Sequence, residues 1–277
     1  TGDVAGSTGL TDLVGSGSGN FRYNTSIDSS GTVTAGYTTT LATDVVNAIY
    51  REQPSISGTI NSETITYGQA VPTFSLAEGT GTVNGDGVTV AIASPAYSTS
   101  NNLQAGSYTV SQTNLSGLGY NVGSITDGAL IVNKLALTGN IAQASTTYGD
   151  SLTGGEVTFD NVISGDVLGD ATYAFDTTGN TSTSGNLNVG TYTGIQGIAS
   201  MDGVDGGNYS FVGITGDYAV SQRTLTVTYS GQNKVYDGNA TAAVTTTDNR
   251  ITNDVFDINR TAEFTAGKDV GTGKAIG

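Results

Sequence analysis

The chain has 277 residues, 36% of them hydrophobic, with no cysteine, histidine or tryptophan and a net charge of −15. The missing thiols and imidazoles exclude disulfide staples, Cys- or His-type metal sites and Ser-His-Asp or Cys-His catalysis within it. With 24 acids against 9 bases, the surface is a poor partner for nucleic acid and for an anionic membrane.

Charged residues make up only 12% of the chain, with 41 glycines and 3 prolines. That balance fits many short strands joined by glycine-, asparagine- and aspartate-rich turns, not a disordered polyelectrolyte. No apolar run reaches the 18 residues that suggest a membrane span. The chain opens at "TGDVAGSTG" without a basic-then-apolar leader and stops at "GTGKAIG". It is expected to be a segment of something longer, so that the missing leader says nothing about export.

Residues 1–55 stand apart from the rest of the chain. "GSGSGNFRYNTS" reads as loop, and "GTVTAGYTTT" as a strand or two. "ATDVVNAIY" is compatible with one or two helical turns capped by Thr43 or Asp44. From residue 56 a repeat sets in. "ITYGQAVPT" (Ile65–Thr73), "TTYGDSLTG" (Thr146–Gly154) and "KVYDGNATA" (Lys234–Ala242) share a tyrosine and a following glycine. Tyr67, Tyr148 and Tyr236 lie 81 and 88 residues apart. A second phrase follows each: "NLQAGSYTV", "NLNVGTYTG" and "KDVGTGKAI". A third appears twice, with Tyr120 and Tyr209 at its head. The expected domains are therefore 1–55, a tail or junction; 56–134 and 135–223, two full modules; and 224–277, an incomplete third.

The phrases read as strands. "GVTVAIA" (Gly87–Ala93) alternates at period two, as does "TLTVTYSG" (Thr224–Gly231) through Leu225, Val227 and Tyr229. Turn signals at "NGDG" (Asn84–Gly87), Asp127–Gly128 and "DGG" (Asp205–Gly207) separate them. Six to eight short strands per unit predict an all-β chain of tandem small β-sandwich modules, immunoglobulin-like in arrangement. A β-grasp-like module is the alternative, although no amphipathic helix is evident. Each tyrosine-glycine phrase is expected to close a strand with a tight turn, burying the ring while the hydroxyl stays hydrogen-bonded or wet. "DGALIVNK" runs straight into "LALTGNI", and "DYAVSQ" into "RTLTVTY". Without linkers, the modules are expected to stand end to end as a rod.

"YREQP" (Tyr50–Pro54), "TYG", "VGTYT", "GNYSF", "RTLTVT" and above all "KVYDGNATA" with "KDVGTGKA" resemble the MBG and YDG modules of filamentous-haemagglutinin-like bacterial adhesins. The resemblance covers about residues 50–277. It implies export by two-partner secretion in a Gram-negative bacterium, residence outside the cell or on its surface, and a non-enzymatic stalk downstream of a β-helix. Residues 1–49 would then be the tail of that β-helix region.

Few chemical sites remain to be weighed. "SMDGVDGGNYS" gathers Asp202, Asp205 and Asn208, whose oxygens suit calcium, as do those of Asp166 and Asp170 in "SGDVLGD". Neither fits an EF-hand, and the first also reads as a plain run of aspartate-glycine turns. No other cofactor is expected. A lysine–asparagine cross-link at Lys134 is disfavoured, because the matching place in the next module is Arg223. The expected function is a structural stalk segment, with neighbouring modules of the same chain as its partners. The alternative is a module that binds an extracellular polysaccharide or a host or matrix surface through exposed tyrosines and polar loops.

Overall fold

The computed structural model describes Val4 and residues 7–277. The regular structure of the described residues consists almost wholly of short strands. Helices are confined to Thr8–Val14, the single turn Leu115–Leu118, and a 3-10 turn at Gly206–Asn208. The all-β expectation holds. The chain divides into two compact units. The first runs up to Leu137 and takes in Val162–Asp170 and Met201–Ser210; the second comprises Thr138–Asn161, Ala171–Ser200 and Phe211–Gly277.

In the first unit the leading residues are packed, not loose. Phe21–Arg22 pairs in parallel with Ala48–Ile49, and Thr25–Ile27 forms a hairpin with Val33–Ala35. Phe21, Tyr23, Ala48 and Tyr50 join Ile56, Leu115, Leu118 and Tyr120 in one apolar core. Arg22 is only 2% exposed. Its guanidinium donates to the carbonyls of Gly19, Phe21, Thr39 and Thr40 at 2.7–3.0 Å, which answers the cost of burying a charge. The helical turns considered for "ATDVVNAIY" do not form. Asp44 sits at φ +60, which breaks a helix, and Ala48–Ile49 is strand.

Residues 55–133 build two sheets. One has the order Asn121–Thr126, Ser55–Ile60, Leu76–Thr80; the other Glu63–Thr66, Gly128–Asn133, Gly106–Gln112, Val90–Ile92. The first and last segments each pass from one sheet to the other and pair in parallel in both. The crossover is tight. A Cβ at Gly128 would lie 2.4 Å from the Asn61 carbonyl oxygen. In Gly128–Asn133 burial alternates, with Leu130 and Val132 inward and Ile131 outward, the period of a one-sided strand.

The second unit repeats the four-stranded pattern. Ala144–Thr147, Thr215–Ser221, Gly190–Met201 and Ala171–Phe175 follow in that order, again with the first pair parallel. The register shifts between Tyr192 and Gln196. Gln196, fully buried, satisfies the break: it accepts from Gly155 N–H at 2.9 Å and donates to the Asp217 carbonyl at 2.6 Å. Beyond Thr224 there is a hairpin, Val227–Gly231 with Val244–Asp248, and two isolated bridges. No residue of 224–277 is buried. Leu225 and Tyr229, which alternate at period two in the sequence, are exposed.

Candidate functional site: a recurring tyrosine–aspartate joint

The tyrosine-glycine turn forms as the sequence suggests. Glu63–Thr66 ends at Tyr67 and Gly68, and Ala144–Thr147 at Tyr148 and Gly149. Gly68 and Gly149 lie at φ +89 and +86, a region that tolerates few other residues. What the sequence does not announce is the partner that this turn receives.

That partner is a four-residue turn from the next repeat. "VNGD" (Val83–Asp86), "ISGD" (Ile163–Asp166) and "ITND" (Ile251–Asp254) share an apolar first residue, a glycine or asparagine third and an aspartate fourth. In all three the aspartate N–H donates to the carbonyl of the apolar residue, at 3.0–3.1 Å. The third residue is left-handed each time: Gly85 at φ +72, Gly165 at +97 and Asn253 at +75. The aspartate is thereby turned back toward an upstream tyrosine.

Within the first unit, Tyr67 donates its hydroxyl to Asp166 Oδ2 at 2.6 Å, and Tyr209 donates to the same oxygen. The two rings meet edge to face, 5.4 Å apart, a favoured aromatic geometry. Ile163 N–H donates to the Tyr209 hydroxyl at 3.1 Å. An earlier version of the same joint uses Tyr23. Tyr23 and Tyr120 both donate to Asp86 Oδ2, at 2.7 and 2.9 Å, with their rings 4.8 Å apart and edge to face. Val83 N–H donates to the Tyr120 hydroxyl at 3.1 Å. Asn24, at φ +60, holds the place of the glycine. Within the second unit, Tyr148 donates to both oxygens of Asp254, at 2.6 and 2.7 Å.

The glycine of the phrase has its own role. A Cβ at Gly68 would come within 2.1 Å of Ile163 Cδ1, and one at Gly149 within 2.5 Å of Ile251 Cδ1. The apolar head of the incoming turn therefore occupies the space a side chain would need. A threonine completes the set. Thr99 Oγ1 donates to the Gly165 carbonyl at 2.8 Å, and Thr183 Oγ1 to the Asn253 carbonyl at 2.9 Å.

The electrostatics differ between joints. Burial pushes the Asp86 carboxyl above its ordinary value, against the hydrogen bonds from Tyr23 and Tyr120 and the nearby Arg22 charge. Burial also raises Asp166, but donors at Ser100, Tyr209 and Tyr67 outweigh it and hold that carboxyl below the ordinary value. Hydrogen bonds from Ser184 and Tyr148 lower Asp254. Burial is the largest cause that raises the Tyr23, Tyr67, Tyr120 and Tyr209 hydroxyls, so each stays a donor at neutral pH.

The residues singled out for calcium belong to this assembly. Asp205, buried, accepts from Thr99 N–H at 3.1 Å, from the Thr99 hydroxyl, and from Val167 N–H at 2.8 Å. Asn208 accepts from Ala105 N–H at 2.9 Å. Asp202 is exposed and accepts from Asp170 N–H at 2.6 Å. The three accept from different donors. Among the described residues no group of three or more acidic side chains is placed to hold a metal. Lys134 is exposed, and Arg223 pairs with Asp150 at 3.0 Å.

Fold and joint together define a repeated all-β module that receives a turn from its successor. The family follows from the segment where the pattern is fullest: residues 56–131 match the MBG domain, YGX type. That segment, with Tyr67 and Gly68 inside it, is similar to the MBG domain. No curated protein matches the chain. No helix among the described residues is long and apolar enough to cross a membrane.

Proposed function

We propose that the chain is a structural, non-enzymatic segment of a secreted or surface-bound bacterial adhesin, in which successive modules are locked by tyrosine–aspartate joints. The MBG domain supports an extracellular, adhesin-like setting. The observation that carries the structural role is the recurrence of the same joint at Asp86, Asp166 and Asp254. Side chains that would otherwise be free to bind a ligand are spent on holding one repeat to the next. A chain without histidine or cysteine also has few routes to catalysis. Attachment to a Gram-negative surface through two-partner secretion is part of the same proposal and rests on the family resemblance.

A pull-down of the full chain against a panel of extracellular polysaccharides tests the role. The structural reading expects no saturable retention. Saturable retention that is lost when the exposed Tyr97 and Tyr229 are replaced by alanine would move the function to polymer binding.

A further inference from the structure

We infer that Tyr236, Gly238 and Thr265 form an open socket for one more turn of the apolar-x-Gly/Asn-Asp kind, presented by a further β-module of this type. The inference rests on the structural role proposed for the chain and names the partner that this role leaves open.

Two filled sockets supply the template. Each has a tyrosine donor, a glycine with φ near +90 whose missing side chain admits an isoleucine, and a threonine hydroxyl for the carbonyl before the aspartate. The last repeat carries counterparts of all three elements, with two differences: Asp237 separates Tyr236 from Gly238, and the Thr265 hydroxyl donates to the Ala275 carbonyl at 3.2 Å, a bond that the incoming turn would replace. Gly238 lies at φ +82, beside +89 at Gly68 and +86 at Gly149. Thr265 follows Phe264 as Thr99 follows Ser98 and Thr183 follows Ser182. The turn around it is the same. Gly267 N–H donates to the Phe264 carbonyl at 3.0 Å, as Asn101 does to Ser98 and Gly185 to Ser182. Gly267, Asn101 and Gly185 all have positive φ, at +75, +62 and +82.

The difference lies in occupancy. A Cβ at Gly238 would meet nothing within 4 Å, where those at Gly68 and Gly149 would run into isoleucine. Tyr236 is 59% exposed, while Tyr67 is 2% exposed. Among the described residues no hydrogen bond reaches the Tyr236 hydroxyl, whereas those of Tyr67 and Tyr148 each reach an aspartate. Val235 and Val270 stand exposed beside it. With Tyr236, Phe264, Lys268 and Lys274 they line a recess of 470 Å³, whose lining includes the chain neighbours of Gly238 and Thr265 and not those two residues themselves. Val235, Val270 and Phe264 offer apolar surface to the head of the turn, and Lys268 complements its aspartate, while Lys274 donates to the Gly267 and Asp269 carbonyls and Lys234 pairs with Asp237. The three aspartate turns of this chain already accept tyrosine hydroxyls, so a second copy does not offer a free one.

The probe is the chain's own turn. Residues 160–171, which contain "ISGD", are made as a synthetic peptide. In a second arm the same residues are fused after Gly277 of the full chain through a flexible Gly/Ser linker, which raises their effective concentration to about the millimolar range. Amide NMR follows both. Saturable shifts are expected at Tyr236, Gly238 and Thr265. Tyr236→Phe in the chain, or Asp166→Asn in the peptide, should weaken binding about tenfold or more, as loss of a hydrogen bond to a charged group does. No shift in the fused arm overturns the inference, and so do shifts that Tyr236→Phe leaves unchanged. Neither result touches the polysaccharide test, which judges the structural role on its own.

Discussion

At the scale of single residues, the tyrosine-glycine pair is a donor beside a space. The clearest consequence concerns Gly68. Alanine there would sit in a left-handed conformation and drive its methyl group into Ile163. The expected loss is about 1–3 kcal/mol in urea unfolding of the first unit. Ile163→Ala in the same chain should recover part of it, and a Gly68→Ala chain as stable as the parent would contradict the packing. The two carboxylates make a second test. Asp86 is raised, so its contribution is full below the ordinary carboxylate range and is lost as pH rises through its folded value. Asp166 is lowered, so its contribution is present above that range and is lost as pH falls through its folded value. Between about pH 3 and 6, the stability advantage of the parent over Asp86→Asn should shrink with rising pH. The advantage over Asp166→Asn should grow. Slopes of the same sign would mean that the two environments are alike.

At the scale of elements, the sequence showed a good deal and hid the rest for physical reasons. Period-two alternation and turn residues gave the strands, because both are local. Parallel pairing of the first and last segments was not legible, since one sequence carries no mark of which strand a neighbour will be. The aspartate turns are in view but unmatched: "VNGD", "ISGD" and "ITND" share three features over four residues and only the aspartate is identical, too little to stand out singly. Their spacing of 80 and 88 residues, against 81 and 88 for the tyrosines, was the signal that could have linked them. Tyr23 escaped because Asn24 replaces the glycine. The acidic run around Asp205 reads in the sequence as cation ligands, because carboxylates serve backbone N–H groups and cations equally well; in the structure Asp205 accepts from the N–H groups of Thr99 and Val167. The closing hairpin gives a prediction at this scale. Residues 224–277 contain no buried residue, and segments with few buried contacts open first. Limited trypsin digestion should cut first after Arg260, which is exposed, ahead of Arg250, which is tied to Asp248 and lies over Phe256. A first cut after Arg51 or Arg223 would place the weakest segment elsewhere.

At the scale of the whole molecule, the aspartate turns of the second and third repeats are held by Tyr67 and Tyr148 of the repeat before, and that of the first by Tyr23. Stability would then pass from repeat to repeat through nearest neighbours, as in other tandem arrays. The most direct test is amide hydrogen exchange on the full chain, read at Ile163–Val167, in the parent, Tyr67→Phe, Asp166→Asn and the double variant. Each single change should speed exchange there about tenfold. The double change should add little, because both remove the same interaction. Rates that multiply in the double variant, or single variants that exchange like the parent, would contradict the joint.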